Sequence, residues 1–200
     1  MANFWNSNQI EPKRQYRWIL SLSNINTYTV KAAAKPKMQV GAATHKYLGH
    51  TFKYPGIVTW NDIVITLVDP VFPDASAIMV KTLQASGYAL PASEQDAMLS
   101  LSKKASVEAL GQPRIIQIDA EGFPVETWTL FNAWIKDVTF GATLNYTADA
   151  LTDVKFTISY DWAEYEGNPE SAGGPLKPIM STGQDQKDAI ATYRAPGGIS

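Results

Sequence analysis

Cysteine is absent from this chain, histidine is scarce, and neither sign of charge dominates. Without cysteine there is no disulfide, no thiolate nucleophile and no cysteine-based metal site. Lys and Arg together number 17 against 19 Asp and Glu, so the net charge of -2 gives no overall attraction to nucleic acid or anionic lipid. These absences leave packing and hydrogen bonds to stabilise the fold, and they argue against tight nucleic-acid binding.

Long apolar segments are also missing. No run approaches the roughly 20 apolar residues of a membrane-spanning helix, and residues 1–17 lack the apolar core of a signal peptide. We therefore expect a protein that is made and kept in a cytoplasm. The chain does have 45% hydrophobic and 18% charged residues over 200 positions, which suits one folded domain with a sizeable core.

Alternation of apolar and polar residues predicts strands along most of the chain, interrupted by a helix. Asp74 precedes an amphipathic stretch that closes at Gly87, which predicts a capped helix over residues 75–86. A weaker helical pattern lies within residues 94–110. The predicted strands are 16–22, 28–40, 63–68, 115–119, 125–131, 134–138, 140–146 and 154–162. This order predicts a mainly β (α+β) fold, an antiparallel β-sandwich or barrel with one flanking α-helix.

Residues 41–60 are typical of a long hairpin or a projecting loop with an aromatic side. The segment holds four aromatic residues, both histidines and the turn-forming pair Pro55-Gly56. His45 and His50 are five residues apart, so on one continuous strand they would point to opposite faces and could not share a metal ion. A projecting segment of this kind needs a partner surface.

Charged residues form no arrangement that suits catalysis. Lys31, Lys35 and Lys37 alternate along one side of a predicted strand, which is typical of a solvated or edge-protecting face. Acidic residues bracket a turn near Glu121, and Glu126 among them is expected in solvent, with no nucleophile or histidine beside it. We therefore expect no catalytic residue, no cofactor and no metal site.

The two ends of the chain differ from its middle. Residues 1–15 are polar apart from apolar anchors such as Phe4 and Trp5, and they predict an arm that docks on its own domain or on a neighbouring subunit. Residues 167–200 are rich in glycine and proline, which predicts an extension without a core of its own. We therefore expect one domain over residues 1–166, with the arm and the projecting segment as parts of it.

Two stretches of the sequence resemble the tail tube family of contractile bacteriophages (T4-like myoviruses). The first is Trp60-Asn-Asp-Ile-Val-Ile-Thr-Leu-Val-Asp-Pro followed by the predicted helix. The second runs from Asn132-Ala-Trp through Asp149-Ala-Leu to Ile158-Ser-Tyr-Asp-Trp-Ala. The resemblance spans residues 16–166 and depends on the order and spacing of these motifs. The Gly/Pro-rich extension after Glu166 departs from the family.

The resemblance implies a structural subunit rather than an enzyme. Family members are similar in forming hexameric rings with a continuous inner β-barrel, and the rings stack inside a contractile sheath as the conduit for DNA ejection. The implied partners are other copies of the chain, the tail sheath protein, the tape measure protein and the baseplate. DNA is expected to pass without specific binding, and no membrane is involved. The implied location is the virion tail, assembled in the host cytoplasm.

Two alternatives stay open. The same pattern fits the inner-tube protein of a bacterial contractile injection system, of the pyocin or type VI-like kind, which the sequence does not separate from a phage tail. A carbohydrate-binding β-sandwich that stacks sugars on Tyr54, Trp60 or Trp162 is the other hypothesis. Such a module is expected to act as a monomer, whereas a tube subunit assembles.

Candidate residues for two surfaces of the implied assembly come from strand phase, which gives a lumen-facing set, and from the aromatic segment and the arm, which give a stacking set. Clustered Lys or Arg would hold DNA phosphates, so the bore is expected to be neutral or acidic, with Lys31, Lys35 and Lys37 elsewhere. The candidate lumen-facing residues are Thr127, Thr129, Thr143, Asn145, Thr147, Thr157, Ser159 and Asp161. The candidate inter-subunit or ring-stacking residues are Phe4, Trp5, His45, Tyr47, His50, Phe52, Tyr54 and Trp60.

Overall fold

Strands make up most of the computed structural model, which describes residues 12–167 except positions 24, 90, 91, 95, 142 and 148. The strands are β1 Trp18–Ser21, β2 Val30–Ala33, β3 Lys37–Tyr47, β4 His50–Asn61, β5 Ile63–Val68, β6 Arg114–Ile118, β7 Pro124–Phe131, β8 Trp134–Phe140, β9 Asp153–Ser159 and β10 Trp162–Gly167. The helices are α1 Ala75–Ala85 and α2 Lys103–Leu110. Neither helix in this described part of the chain is long and apolar enough to cross a membrane.

Eight of the strands form two four-stranded sheets that face each other. Sheet A contains β1, β6, β7 and β10 in that order, and sheet B contains β2, β5, β9 and β8 in that order. Every pairing in both sheets is antiparallel. Leu20 and Leu130 of sheet A and Ile65 and Phe156 of sheet B belong to one buried core. The predicted mainly β, antiparallel sandwich is therefore confirmed.

Strand β9 shows why these residues form a sandwich. Val154, Phe156 and Ile158 alternate along it and are fully buried, whereas Thr157 and Ser159 point to the opposite side. Each such large apolar side chain contributes about 1.5–3 kcal/mol when it leaves water. Every second residue of β9 therefore holds sheet B against sheet A, and the residues between them form the outer face of sheet B.

The helices lie beside sheet B. Asp74 caps α1, because its side chain accepts a hydrogen bond of 2.8 Å from the backbone N–H of Ala77. This confirms the predicted capped helix. Ser102 caps α2 in the same way through Ala105. The two helices contact each other and β8, so α2 adds a second flanking helix within the stretch where the sequence pattern was weaker.

Strands β3 and β4 form a hairpin that continues sheet B beyond the sandwich. A short link, residues 34–36, joins β2 to β3, and Asp62 alone separates β4 from β5. The two strands have 11 and 12 residues, so the hairpin is about 35 Å long at roughly 3.3 Å per residue. All of its residues are exposed except Trp60, which is half-buried. The hairpin predicted for residues 41–60 is therefore present, and it begins at Lys37.

The strand predicted at residues 140–146 is wrong. Strand β8 continues to Phe140 and ends there, because Gly141 has φ +90, a left-handed conformation that breaks the strand. Beyond it, Asn145 forms a local turn in which its side-chain oxygen accepts hydrogen bonds from the backbone N–H and the hydroxyl of Thr147. The apolar alternation of this stretch therefore lies in an exposed loop.

The strand predicted at residues 154–162 is divided into two. Strand β9 ends at Ser159 in sheet B, and β10 begins at Trp162 in sheet A. At the corner, the backbone N–H of Asp161 donates to the carbonyl of Phe131 in sheet A, at 3.1 Å. The corner contains no glycine or proline, so the sequence pattern runs through it without a break.

Candidate assembly surfaces

The hairpin carries its histidines and most of its aromatic residues on one side. Directly paired residues of antiparallel strands project to the same side of the pair. The three outermost pairs on this side are Ala43 with Tyr54, His45 with Phe52, and Tyr47 with His50. We call this surface the aromatic face. It brings together five of the candidate stacking residues, and its large side chains are about half exposed or more.

The prediction that His45 and His50 point to opposite faces is wrong. The chain turns at Leu48 and Gly49, both of which have positive φ, as a two-residue hairpin turn requires. The histidines therefore lie on different strands and share the aromatic face. Among the residues that the structure describes, no group of three or more potential ligands stands close enough to hold a metal ion.

Trp60 belongs to the root of the hairpin instead of the aromatic face. Alternation along β3 and its pairing with Met38 place it on the other side. Its ring lies 6.0 Å from that of Tyr160, and it contacts the core of its own sandwich. Phe4 and Trp5, the remaining candidate stacking residues, lie outside the described residues.

The candidate lumen-facing residues do not form one surface. Thr157 and Ser159 lie on the outer face of sheet B, whereas Thr127 and Thr129 lie on the outer face of sheet A. The inner faces of the two sheets meet in the core, so the outer faces point in opposite directions. One of the two pairs can line a bore, but both cannot do so in the same ring.

The other candidate lumen-facing residues lie outside both sheets. Thr143, Asn145 and Thr147 are in the exposed loop after β8. Asp161 lies at the corner between β9 and β10, where its carboxylate accepts hydrogen bonds from Lys103 at 2.6 Å and from Asn132 at 2.7 Å. The hydrogen bond from Lys103 lowers the pKa of Asp161 from its usual value. This carboxylate therefore ties α2 to the corner between the sheets.

The outer faces of the two sheets differ in chemistry. On sheet B, cross-strand neighbours of Thr157 and Lys155 are small or polar, and they comprise Val64, Thr66, Asp137 and Thr139. On sheet A, Thr127 and Thr129 are flanked by larger groups, which include Ile116, Arg114, Glu164 and Glu166. Phe131 and Trp162 also stack there at 5.4 Å between ring centroids. Sheet B therefore has the smoother and less apolar face.

Lysines near sheet B are balanced by carboxylates. Lys31 on the edge strand β2 donates to Asp153 at 2.6 Å and stays about half exposed, which agrees with the expectation of a solvated or edge-protecting position. Lys155, which the sequence patterns did not single out, lies on the outer face of sheet B. With Asp137 and Asp153 on the same sheet, the face carries no net excess of positive charge.

Glu126 is buried, although the sequence predicted a solvated turn residue. It follows the phase of Trp128 and Leu130 on the core-facing side of sheet A, and only 6% of it is exposed. Its carboxylate accepts hydrogen bonds from Lys13, from Lys35 at 2.7 Å and from the indole N–H of Trp128 at 2.6 Å. The Lys35 side chain stays about half exposed while its ammonium group binds this carboxylate. Glu126 alternates in step with Trp128 and Leu130, and this shared phase is the signal that could have predicted its burial from the sequence.

The protonation of Glu126 is set by this environment. Burial by itself raises the pKa of Glu126, but the hydrogen bonds from Lys13, Lys35 and Trp128 outweigh it and lower the pKa to about 2. A glutamate in an unfolded chain titrates near about pH 4.3. The charged form therefore stabilises the folded state above that pH, and the contribution is lost as the pH falls toward 2.

This pH dependence predicts the behaviour of Glu126→Gln. At pH 7 we expect the variant to lose about 1–3 kcal/mol of unfolding free energy, or roughly 3–10 °C in melting temperature for a chain of this size. The difference from the wild type should shrink as the pH falls from 5 to 2, because the wild-type carboxylate then takes up a proton. Thermal denaturation at several pH values measures the difference in stability between the variant and the wild type. A difference that stays constant between pH 5 and pH 2 would contradict the prediction.

Solved structures of contractile injection systems share this fold. No family model and no curated protein matches the chain. A chain of the extracellular contractile injection system, PVC sheath-tube complex in extended state, aligns with a TM-score of 0.60 at 14% identity over 84% of this chain and 100% of its own length. A chain of the anti-feeding prophage (AFP) cap, described as a tube terminating cap, aligns with a TM-score of 0.59 at 17% identity and covers the same shares.

A third structure extends the likeness to another part of these devices. A chain of the anti-feeding prophage (AFP) baseplate aligns with a TM-score of 0.56 at 13% identity, over 79% of this chain and 97% of its own length. Nearly the whole length of each of these chains is therefore matched. The protein therefore shares its fold with chains of contractile injection systems, which agrees with the fold that the resemblance to contractile tail tubes implied.

Proposed function

We propose that this protein is a tube subunit of a contractile tail, which closes into hexameric rings that stack into a conduit inside a sheath. The observation that carries the proposal is the hairpin β3–β4, whose residues are exposed almost throughout. An isolated two-stranded hairpin is marginally stable in water. A hairpin of this length with an aromatic face therefore needs a covering surface, and the fold supports a second copy of the chain as that surface.

Charge also favours a second copy. The hairpin contains Lys37, Lys46 and Lys53 and no acidic residue, so with a net charge of -2 the rest of the chain is clearly acidic. Hairpin and remaining surface are thus complementary between copies. The hairpin extends from one end of sheet B, so its contact with another copy is head-to-tail. A head-to-tail contact that repeats produces an open filament, which is the geometry of stacked rings.

Sheet B is the sheet that we propose closes the ring. Its edge strands β2 and β8 have no strand partner on their outer sides within the described residues. Joining β8 of one copy to β2 of the next would remove both edges, which otherwise invite aggregation. If six copies each supply four strands, a spacing of about 4.8 Å and a tilt of about 40° give a backbone diameter of roughly 48 Å.

The bore is then lined by the outer face of sheet B. Thr157 and Ser159 stay in our lumen-facing set, while Thr127 and Thr129 face the surrounding sheath from sheet A. Side chains narrow the opening by roughly 10 Å, which leaves room for duplex DNA. A face of small polar groups with balanced charge does not hold phosphates.

Within this class we propose the phage tail, with DNA as the cargo and the tape measure protein and baseplate as further partners. The tube of a bacterial injection device is the second candidate, because the structures that share this fold come from such devices. In both cases the protein is a structural subunit and carries out no reaction.

Electron microscopy of the purified protein tests the proposal. We expect hollow rods or stacked rings at high protein concentration, with a diameter that fits a barrel of about 24 strands. A particle that remains a monomer at every concentration, and that binds glycans on an array, would instead support the carbohydrate-binding alternative.

A further inference from the structure

A buried polar network lies at the root of the hairpin. Glu126 of β7 and Gln117 of β6 are directly paired and occupy the core-facing side of sheet A, where the neighbouring positions are apolar. Both side chains are more than nine-tenths buried. Two adjacent polar residues at core positions of a sandwich require partners, because an unpaired buried carboxylate is costly.

The partners of this pair come from two segments outside sheet A. Lys35 donates to Glu126 and to Gln117, at 2.7 Å in each case. Lys13 donates to the other oxygen of the Glu126 carboxylate. The side-chain N–H of Gln117 donates to the backbone carbonyl of Arg14 at 3.1 Å. The network therefore binds residues 13–14 and residue 35 to the same two side chains.

One of these segments leads into the hairpin, which extends beyond the sandwich, and the other belongs to the predicted N-terminal arm. Lys35 lies in the link between β2 and β3, two residues before the hairpin begins. Lys13 and Arg14 belong to the predicted N-terminal arm, residues 1–15, of which the structure describes residues 12–15. On the opposite side of the hairpin root, Asp62 accepts from Lys136 of β8 at 2.6 Å. The hairpin is thus tied to sheet A through Glu126 and to sheet B through Asp62.

Stability alone does not account for such a network. A buried ion pair seldom stabilises a fold more than apolar residues of the same size, because desolvation offsets the attraction between the charges. Charge-assisted hydrogen bonds do impose direction. Since the hairpin has few other contacts with the sandwich, its angle depends on the few bonds at its root.

We propose that Glu126 is a positioning residue for assembly, which holds the root of the hairpin and the base of the N-terminal arm in one fixed orientation to each other. The inference rests on the proposed tube function, because the orientation matters for docking on a second copy. A hairpin about 35 Å long moves its tip by about 6 Å for each 10° of rotation at the root. A loose root therefore presents the aromatic face to a neighbour in many orientations and lowers the rate of productive docking.

Hydrogen–deuterium exchange of the unassembled, full-length protein tests this inference separately from tube formation. In Glu126→Gln, loss of unfolding free energy raises exchange in the cores of β5 and β9 by one common factor, because core amides exchange through global unfolding. We expect exchange in residues 12–17 and 34–38 to rise at least about tenfold beyond that factor. A larger rise in these segments indicates positioning, whereas the same rise throughout the sandwich would show a merely structural role and overturn the inference.

Two further variants separate the contribution of Lys35 to this network from that of Lys13. Lys35→Met keeps the length of the side chain but removes its donors, and it should raise exchange at residues 34–38 only. Lys13→Met should raise exchange at residues 12–17 only. If both variants exchange like the wild type, Glu126 does not hold these segments and the inference is wrong. These two variants also serve as the test if Glu126→Gln fails to fold.

Assembly provides the second measurement. We expect Glu126→Gln to need at least about tenfold more protein than the wild type before tubes form. Glu108→Gln, an identical change at an exposed position of α2, is the matched control and should assemble normally. Unchanged assembly by Glu126→Gln would overturn the role in docking. If the wild type itself forms no tubes, the proposed function fails, while the exchange result still reports on the root of the hairpin.

Discussion

Shortening the hairpin is expected to abolish tube formation while the sandwich remains folded. Ala43 and Tyr54 are directly paired, so residues 44–53 can be replaced by Asn-Gly, a two-residue turn that preserves the strand register. The shortened hairpin loses most of the aromatic face but keeps Trp60 and the core contact with Tyr160. Electron microscopy and sedimentation should show no tubes even at about tenfold the wild-type assembly concentration, with a melting temperature close to that of the wild type.

Single substitutions on the two sides of the hairpin provide the control. Phe52→Lys changes the aromatic face and should reduce tube yield strongly, because it places a charge in an apolar contact. Thr51→Lys adds the same charge on the opposite side of the hairpin and should leave most assembly intact. Long tubes from the shortened protein at normal yield would show that the hairpin is not a stacking element.

Adding positive charge to the outer face of sheet B should make assembled tubes retain DNA. In a ring the double variant Thr157→Lys, Ser159→Lys repeats its new charges in every subunit and every layer. Each phosphate that a lysine neutralises releases counterions, so affinity for DNA rises steeply at low salt and falls as salt increases. Tubes of the variant should retain a short duplex at least about tenfold more strongly than wild-type tubes at low ionic strength, as measured by co-sedimentation.

The matched control adds the same charges to the other sheet. Thr127→Lys, Thr129→Lys changes the outer face of sheet A, which we propose faces the sheath. DNA should then bind only on the outside of the tube, where a nuclease digests it, whereas DNA within the bore is protected. Protection of DNA by the sheet A variant and not by the sheet B variant would show that sheet A lines the bore.

Many local features could be predicted from the sequence. The alternation of Val154, Phe156 and Ile158 predicted a strand with one buried side, because a side-chain period of two has the same consequence in any sheet. Asp74 predicted the start of α1, since a cap depends on residues within one turn of it. The hairpin was also predicted, but the turn lies at Leu48 and Gly49, whereas the turn-forming pair Pro55-Gly56 lies within β4.

Features that depend on distant parts of the chain could not be predicted in this way. Strand phase shows that Thr129 and Thr157 point away from the core, but it does not show which sheet each strand joins. The two were therefore assigned to one surface, although they lie on opposite sides of the sandwich. The strand boundary at Asp161 was missed because a hydrogen bond to Phe131, far back in the sequence, forms the corner.

The sequence by itself determined the β-rich sandwich with its flanking helix and the aromatic hairpin, because periodicity, caps and turns act between residues that are close along the chain. Only the tertiary structure decided that the two histidines share a face, that Glu126 is buried among lysines from distant segments, and that sheet B has the small polar outer face. Those outcomes follow from which strands pair and where segments far apart in the chain meet, and no local pattern records either.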